Sequence, residues 1–447
     1  MTASIVHVIQ SLSRGGGGRA LLSVADHGST IVSLTAPDPL MRARAEAAGV
    51  AVIDAAGAPE TMRAADVVLV HFWNTPELWE FLRGGLPPVR LAVWTHVAGD
   101  SPPQIVTPEL LELADATVAT TARTGLDQTI PPAPDPDRLA GAEPQPHDGF
   151  TVGYIGTVDF VKLHPRFFEL SAAVAVPSIR FLVCGSGTAV GTIARHADPR
   201  FELLGYVEDI ASVLAQLDVF GYPLAPGNYS ASDLALQEAM SAGVPPVVLA
   251  NGAAASLVEH GVNGLVAADE AGYTAAIEHL HANPEERLRL GRNARERARR
   301  TPQDVADGWS TIVEDLLEQP KRERPARPIG GAGAFVASLG EAAPEFRASL
   351  DATDDESALE PEAAIASAPA VLVSATGGGV LHYRRHYPDD PHLRLWSGLV
   401  LDAAGHHALA VAELRRACEL GLDTPRSRAY LARAAEAIGA RGIVAPG

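Results

Sequence analysis

Short apolar runs alternate with amphipathic stretches along most of this chain. The runs at 5–9 (IVHVI), 29–34, 50–54, 66–71 and 90–96 have the length and continuity of buried strands, and 39–48 and 75–83 between them carry helical spacing. A helix at 108–114 and a strand at 116–120 close this first series. After a Pro-rich stretch at 131–149 the alternation resumes, with strands at 150–156, 179–184, 201–204 and 218–222 and helices at 165–173 and 210–217. Beyond these come a strand at 244–249, a helix at 253–260, a turn and short strand at 261–267, and helices at 270–282, 284–300 and 301–318. Strands alternating with helices predict an α/β protein built on doubly wound parallel sheets.

The most informative stretch is 221–250, GYPLAPGNYSASDLALQEAMSAGVPPVVLA. A Gly/Pro/Asn-rich loop enters an apolar-periodic helix at Asp233, and Gly243 ends that helix before a strand. Free N–H groups at a helix start suit an anion, and Glu238, a turn and a half inside, suits ribose hydroxyls. From spacing alone an ordinary capped helix fits equally well. Two other features point the same way. Residues 11–18 (SLSRGGGG) form a flexible turn between the first strand and a helix over 19–24, where backbone can approach a phosphate or sugar closely. His71 and His96 end their strands, where ligands sit in open α/β sheets, although strand-end histidines are also common as satisfied structural residues.

Composition narrows the function classes. With 447 residues, 47% of them hydrophobic, the chain exceeds a single core, so two or three domains are expected. A formal charge of -19 argues against a nucleic-acid binder, which needs clustered Lys and Arg. An anionic ligand must then be met by local groups. Cys184 and Cys418 are the only cysteines and no secretory leader is visible, which implies a reducing, cytoplasmic location. No apolar run spans a membrane, while an apolar patch resting on its inner face stays open.

Taken in order, the Gly-rich loop, the strand-end histidine, GYIGTVDFVK (153–162), FLVCGSG, LGYVEDI, QEAMSAGVPPVV and EHGVNGLV resemble the GT-B glycosyltransferases, specifically family 4. The resemblance covers roughly residues 4 to 318. It implies two Rossmann-like domains, 1–148 on the acceptor side and 149–318 on the nucleotide-sugar side, with helix 301–318 crossing back, plus a mostly α-helical C-terminal extension over 319–447. It further implies that His96 hydrogen-bonds the donor sugar, that Lys162 neutralises the diphosphate, and that Gly15, Gly16, Gly17 and Gly18 lie beside it. Gly156 and Thr157 follow the first strand of the second domain, Tyr206 and Val207 meet the base, Ser230, Asp233 and Leu234 lie on the cradle loop, and Glu238 holds the ribose.

Two positions depart from the family. The first glutamate of its paired-glutamate motif is Ser230 here, with Asp233 keeping one carboxylate nearby, and the arginine usual after the GYIG glycine is Thr157. One of two expected phosphate cations is therefore missing, and His164 or Arg166 is the expected substitute. Asp135 and Asp137, set among prolines, read as a solvated turn and not a metal site.

Beyond 318, EQPKRERPAR reads as a charged linker, and 351–370, acidic and rich in Ala and Pro, as a mobile loop. From Trp396 onward small and apolar residues follow a spacing resembling a tetratricopeptide repeat plus a further helix: shifted by 34, Trp396 falls on Tyr430 and Gly405 on Gly439. Such a helix pair suits a protein partner or an acceptor carrier, or packs on the other domains. The reading is a retaining, metal-independent glycosyltransferase without cofactor, moving a hexose from a UDP- or GDP-sugar to a glycan or lipid-linked acceptor in polysaccharide biosynthesis. The alternatives are a non-hydrolysing sugar-nucleotide epimerase and a degenerate transferase-like scaffold acting through its C-terminal repeats.

Overall fold

The computed structural model describes residues 3–191 and 198–442. Two parallel sheets form its body. The first contains β1 (Ile5–Ile9), β2 (Thr30–Ser33), β3 (Ala51–Ile53), β4 (Val67–Phe72), β6 (Leu91–Thr95) and β9 (Ala116–Ala119), in the order β3-β2-β1-β4-β6-β9. Short strands β5 (Leu86–Val89), β7 (Asp100–Ser101) and β8 (Gln104–Ile105) lie outside it. The second contains β10 (Phe150–Ile155), β11 (Ile179–Cys184), β12 (Phe201–Gly205), β13 (Val219–Tyr222), β14 (Pro246–Leu249) and β15 (Leu265–Ala267), in the order β12-β11-β10-β13-β14-β15. Every neighbouring pair within these two sheets is parallel. Burial on both faces explains the continuous apolar runs, as in β4, where all six residues are buried.

Each sheet starts at its centre, winds to one side, then returns and winds to the other. The strand order thus reverses between β1 and β4 and again between β10 and β13. At such a reversal the loops leaving adjacent strands diverge and open a crevice at the carboxyl ends of the strands. The helix Pro302–Leu317 crosses back to the first sheet. Thr301 and Asp304 cap it reciprocally, and Val305, Trp309, Ile312, Val313 and Leu316 bury their side chains in the cluster formed by Val67, Leu69, Ala92, Trp94 and Val118. The Pro-rich stretch 131–149 holds no helix or strand.

Three expectations need correction. Gly16 to Gly18 are not a free turn but the first turn of the helix Gly16–Leu22. The stretch read as a charged linker contains β16 (Arg322–Arg324), paired antiparallel with β5. The Arg324 side chain is 4% exposed and donates to Leu113 O (2.6 Å), Val89 O (3.2 Å) and Asp115 Oδ2 (2.7 Å), so one buried guanidinium fastens the strand. Finally, 351–370 is mostly helical, over Asp355–Ala366. Asp354 accepts from Ser357 N, acidic residues fill the first turn, and Ala358, Glu362 and Ile365 face inward at helical spacing, which outweighs Pro361.

The residues after β16 form one helical unit around Phe335, Phe346, Tyr383 and Trp396. Pro391–Ala403 and His407–Glu419 pack closely at Gly398, where a Cβ would lie 2.5 Å from Leu414 Cγ, and Pro425–Gly442 follows. The unit docks on the first sheet's side: Asn74 Nδ2 donates to Ser338 O (2.8 Å), Gln104 Nε2 to Gly377 O (2.7 Å), and His382 and His386 pair with Glu77 and Glu80. Among the described residues no helix is long and apolar enough to cross a membrane.

Removing the Arg324 guanidinium leaves Asp115, 10% exposed, without its strongest partner. Breaking a buried pair this way costs about 3–5 kcal/mol. Arg324→Ala should therefore release β16, and limited trypsin digestion should cut at Lys321 or Arg322 in the variant while the parent protein resists.

Candidate active site

The two crevices face each other. On the first sheet's side β1 runs into the Ser11–Gly15 loop and the helix Gly16–Leu22, folded so tightly that a Cβ on Gly18 would sit 2.0 Å from Ser13 O. A Cβ on Gly17 would meet Trp73 Nε1 at 2.9 Å, so glycine is required where the helix start passes the indole. Trp73 follows β4 and stacks on His96, which follows β6, with the rings 7° from parallel and 6.3 Å apart. Tyr229 from the opposite wall meets Trp73 edge-on at 6.1 Å. With Gln104, Ser230 and Thr376 these residues line a cleft of about 270 Å³.

The opposite wall is set by an uncommon backbone. Asp233 adopts a left-handed conformation, φ 38° and ψ 64°, and its side chain makes no capping bond to the helix Leu234–Ser241. Its carboxylate turns back instead: Tyr222 donates its hydroxyl proton to Asp233 Oδ1 (3.0 Å), and Lys162 Nζ lies 3.2 Å from the same oxygen. The helix N–H groups are left uncapped beside Lys162, a combination that favours an anion. Asp233 Oδ2 is buried without a partner among the described residues.

A second cavity of about 360 Å³ adjoins the first through Gly15, Gly16, Thr157, Lys162 and Leu234. Arg14, Arg19 and Arg138 line it. Arg14 lies 4.9 Å over the Tyr206 ring. Arg19 and Arg138 both reach Glu238, at 2.5 Å and 3.4 Å, and the Glu238 side chain is 2% exposed. Arg44 also pairs with Glu208 across the gap.

Most of the residues singled out in the sequence converge here. His96, Lys162, Gly15, Gly16, Gly17, Gly18, Thr157, Ser230, Asp233 and Leu234 line the first cavity, and Gly156, Tyr206 and Val207 the second. Glu238 lines neither; it lies behind Leu234 and Ala235 and holds two arginines in place. His164 and Arg166 turn away from the cavities to Glu270. The extra cations come instead from Arg19, which directly follows the glycine run, and from Arg138, inside the Pro-rich stretch 131–149. Trp73, Tyr229 and Thr376 were also missed. Trp73 alone carried a signal, two residues beyond the strand-end His71.

Behind His96 lie two more histidines. His71 Nδ1 is 3.1 Å from His96 Nε2, and His71 Nε2 is 3.1 Å from His7 Nδ1. Burial disfavours the charged imidazolium throughout. It lowers His96 to about 3, and lowers His7 to about 4 against the opposing charge of Asp26. His71 is held well below its ordinary value by burial and then by its two histidine neighbours.

Residues 149–283 match the family model described as glycosyl transferases group 1. This transferase match spans β10 to β15, the half that carries Lys162, Asp233 and Glu238. Solved structures share the whole two-sheet arrangement, the GT-B fold. Anabaena Alr3699/HepE in complex with UDP-glucose is 17% identical with a TM-score of 0.59, covering 70% of this chain and 100% of its own. A glycosyltransferase from Rickettsia africae is 11% identical with a TM-score of 0.55, covering 71% of this chain and 100% of its own. The lipopolysaccharide outer core galactosyltransferase WaaB is 12% identical with a TM-score of 0.51, covering 70% and 99%. No curated protein matches the chain significantly.

The buried histidines fix a pH dependence. The unfolded chain takes up protons below about pH 6.5, while folded His7 and His96 stay neutral until about 4 and about 3. Their contribution to stability is complete above the unfolded pKa and falls as pH drops toward the folded values, each adding a slope of about 1.4 kcal/mol per pH unit. Melting temperatures measured from pH 7 to pH 4 should fall less steeply for His7→Leu than for the parent protein.

Proposed function

We propose that this chain is a retaining, metal-independent glycosyltransferase that moves a hexose from a UDP- or GDP-sugar to a glycan or lipid-linked acceptor. The observation that carries the reading is the meeting, at Lys162, of one cavity lined by arginines and another lined by Trp73, His96 and Tyr229. The first suits a nucleoside diphosphate, with the base at Tyr206 and Val207. The second suits a sugar, whose apolar faces favour aromatic walls and whose hydroxyls need polar partners.

The chemistry follows from where charge develops. As the glycosidic bond breaks, the departing diphosphate gains negative charge, and groups already aimed at it lower the barrier. Lys162, Arg19, Arg138 and the N–H groups opening the helix Leu234–Ser241 supply them. Each cation is held by Asp233 or Glu238, so a bound diphosphate shares cations that are already oriented. Thr376 lies on the sugar-side cavity, which gives the helical unit a part in choosing the acceptor, and its repeat-like helices offer a surface for a protein partner.

A panel of nucleotide sugars, scored for thermal shift and for transfer or hydrolysis, tests this reading. A uridine donor comes first, since the Anabaena neighbour is in complex with UDP-glucose. At 100 times its dissociation constant the correct nucleotide should add about 2.7 kcal/mol of stability. No shift with any nucleotide overturns the reading, and interconversion of a UDP-sugar without an acceptor favours the epimerase instead. Lys162→Ala should lower kcat by about 10²–10³-fold, as the loss of one preorganised donor does elsewhere. Full turnover in that variant removes Lys162 from the mechanism.

A further inference from the structure

The three histidines cross the first sheet in one direction. β1, β4 and β6 are adjacent, Ile9 pairs with His71, and His71 with Trp94. His7 therefore lies two residues before its neighbour's level and His96 two beyond, which places all three rings on one face, along a diagonal. That face is covered by the helix Pro302–Leu317, with Trp309 packed edge-on against Trp94. At the front, His96 lines the sugar-side cavity, and its Nδ1 has no hydrogen-bond partner among the described residues. At the rear, His7 Nε2 is buried and likewise unpartnered. It lies in a separate pocket of about 160 Å³ that Asp26 and Ser310 also line.

Neutral imidazole carries one N–H, and each of the two links needs one donor and one acceptor. Only two arrangements satisfy both. In one, every ring is protonated at Nε2: His96 donates to His71, His71 donates to His7, and His7 donates into the rear pocket. His96 then presents a bare, accepting Nδ1 to the cleft. In the other, every ring is protonated at Nδ1, the donors point forward, and His96 presents an N–H. Mixed states place two protons or none in a link, so the three rings change together. The rear pocket is lined mostly by apolar side chains, but His7, Asp26, Ser310 and the Trp309 indole N–H, unpartnered among the described residues, give it a polar corner with room for one bridging water. A carboxylate there favours a donor at His7 Nε2.

We propose that Asp26, acting through His7 and His71, holds His96 protonated at Nε2, so that its Nδ1 accepts a hydrogen bond from a substrate hydroxyl in the cleft. His7, His71 and Asp26 are then positioning residues, and the cleft is tuned from the opposite end of the histidine chain. That the hydroxyl belongs to a sugar rests on the functional reading above. The arrangement needs no charged imidazole, in keeping with the burial that disfavours one at all three positions.

Tautomers are read directly from long-range proton–nitrogen spectra of the full chain labelled with ¹⁵N-histidine. The expected result is a pyridine-type, unprotonated Nδ1 at His96 and His71. Asp26→Asn, a change at an exposed residue, should shift all three rings toward the Nδ1-protonated set. His71→Phe should abolish the response of His96 to Asp26→Asn. With the correct donor, Asp26→Asn should raise KM about tenfold, the loss of one hydrogen bond, and Asp26→Glu should restore it. A protonated Nδ1 at His96 in the parent protein, or tautomers indifferent to Asp26→Asn, overturns the proposal; should His71→Phe fail to fold, the Asp26 pair decides alone. A coupled tautomer shift in a protein that binds no nucleotide sugar overturns the functional reading and leaves the switch standing.

Discussion

Buried carboxylates organise the cleft. Glu238 and Asp233 are nearly inaccessible, and each is tolerable there only because a cation meets it. The requirement runs both ways: Arg19, Arg138 and Lys162 come from three separate segments and converge because the carboxylates fix where each must end. In a chain of formal charge -19 this gathering is the local exception that a phosphate-bearing ligand needs. It also joins the halves, since Arg19 belongs to the first sheet's side and Glu238 to the second's. Leu234 adds an apolar contact, lying in the cluster of the first half.

The parallel sheets were legible because burial on both faces writes a strand as an uninterrupted apolar run. The runs in β4, β6, β10 and β11 each meet a glycine or a charged residue at one end at least, and Gly17, Gly18 and Gly156 mark places where backbone must pass close to something else. The site was legible where it follows a strand or opens a helix, as His96, Lys162 and Asp233 do. It was illegible where partner and segment are distant in sequence. Arg138 lies in a Pro-rich stretch that reads as a linker, and Glu238 lies on a helix whose own sequence does not reveal the arginine 219 positions earlier that claims it. The histidine chain was hidden likewise: His7 lies within an ordinary strand, and only the order of strands brings it to His71.

The helical unit shows a related limit. Its acidic, alanine-rich composition resembles that of unstructured chain, yet a capping aspartate and three inward-facing residues settle 355–366 as a helix. Glu362 on that helix accepts from Arg426 (3.0 Å) and Ser349 (3.1 Å), and Ser349 in turn accepts from the Trp396 indole (2.9 Å). A polar chain of this kind lets a charged residue serve as an interior one, against what composition alone implies.

The strand β16 has a mechanical consequence. It straps the start of the helical unit to the half that carries His96, and the bonds from Asn74, Gln104, Glu77 and Glu80 fasten the rest there, whereas an open groove separates the unit from Asp159, Val161 and Thr188 on the other half. Any rotation of one half against the other would carry the helical unit with the first as ballast. Thr376 and His96 line one cavity from two pieces of the same fastened body, so the spacing between them is set within that body and not by the facing half.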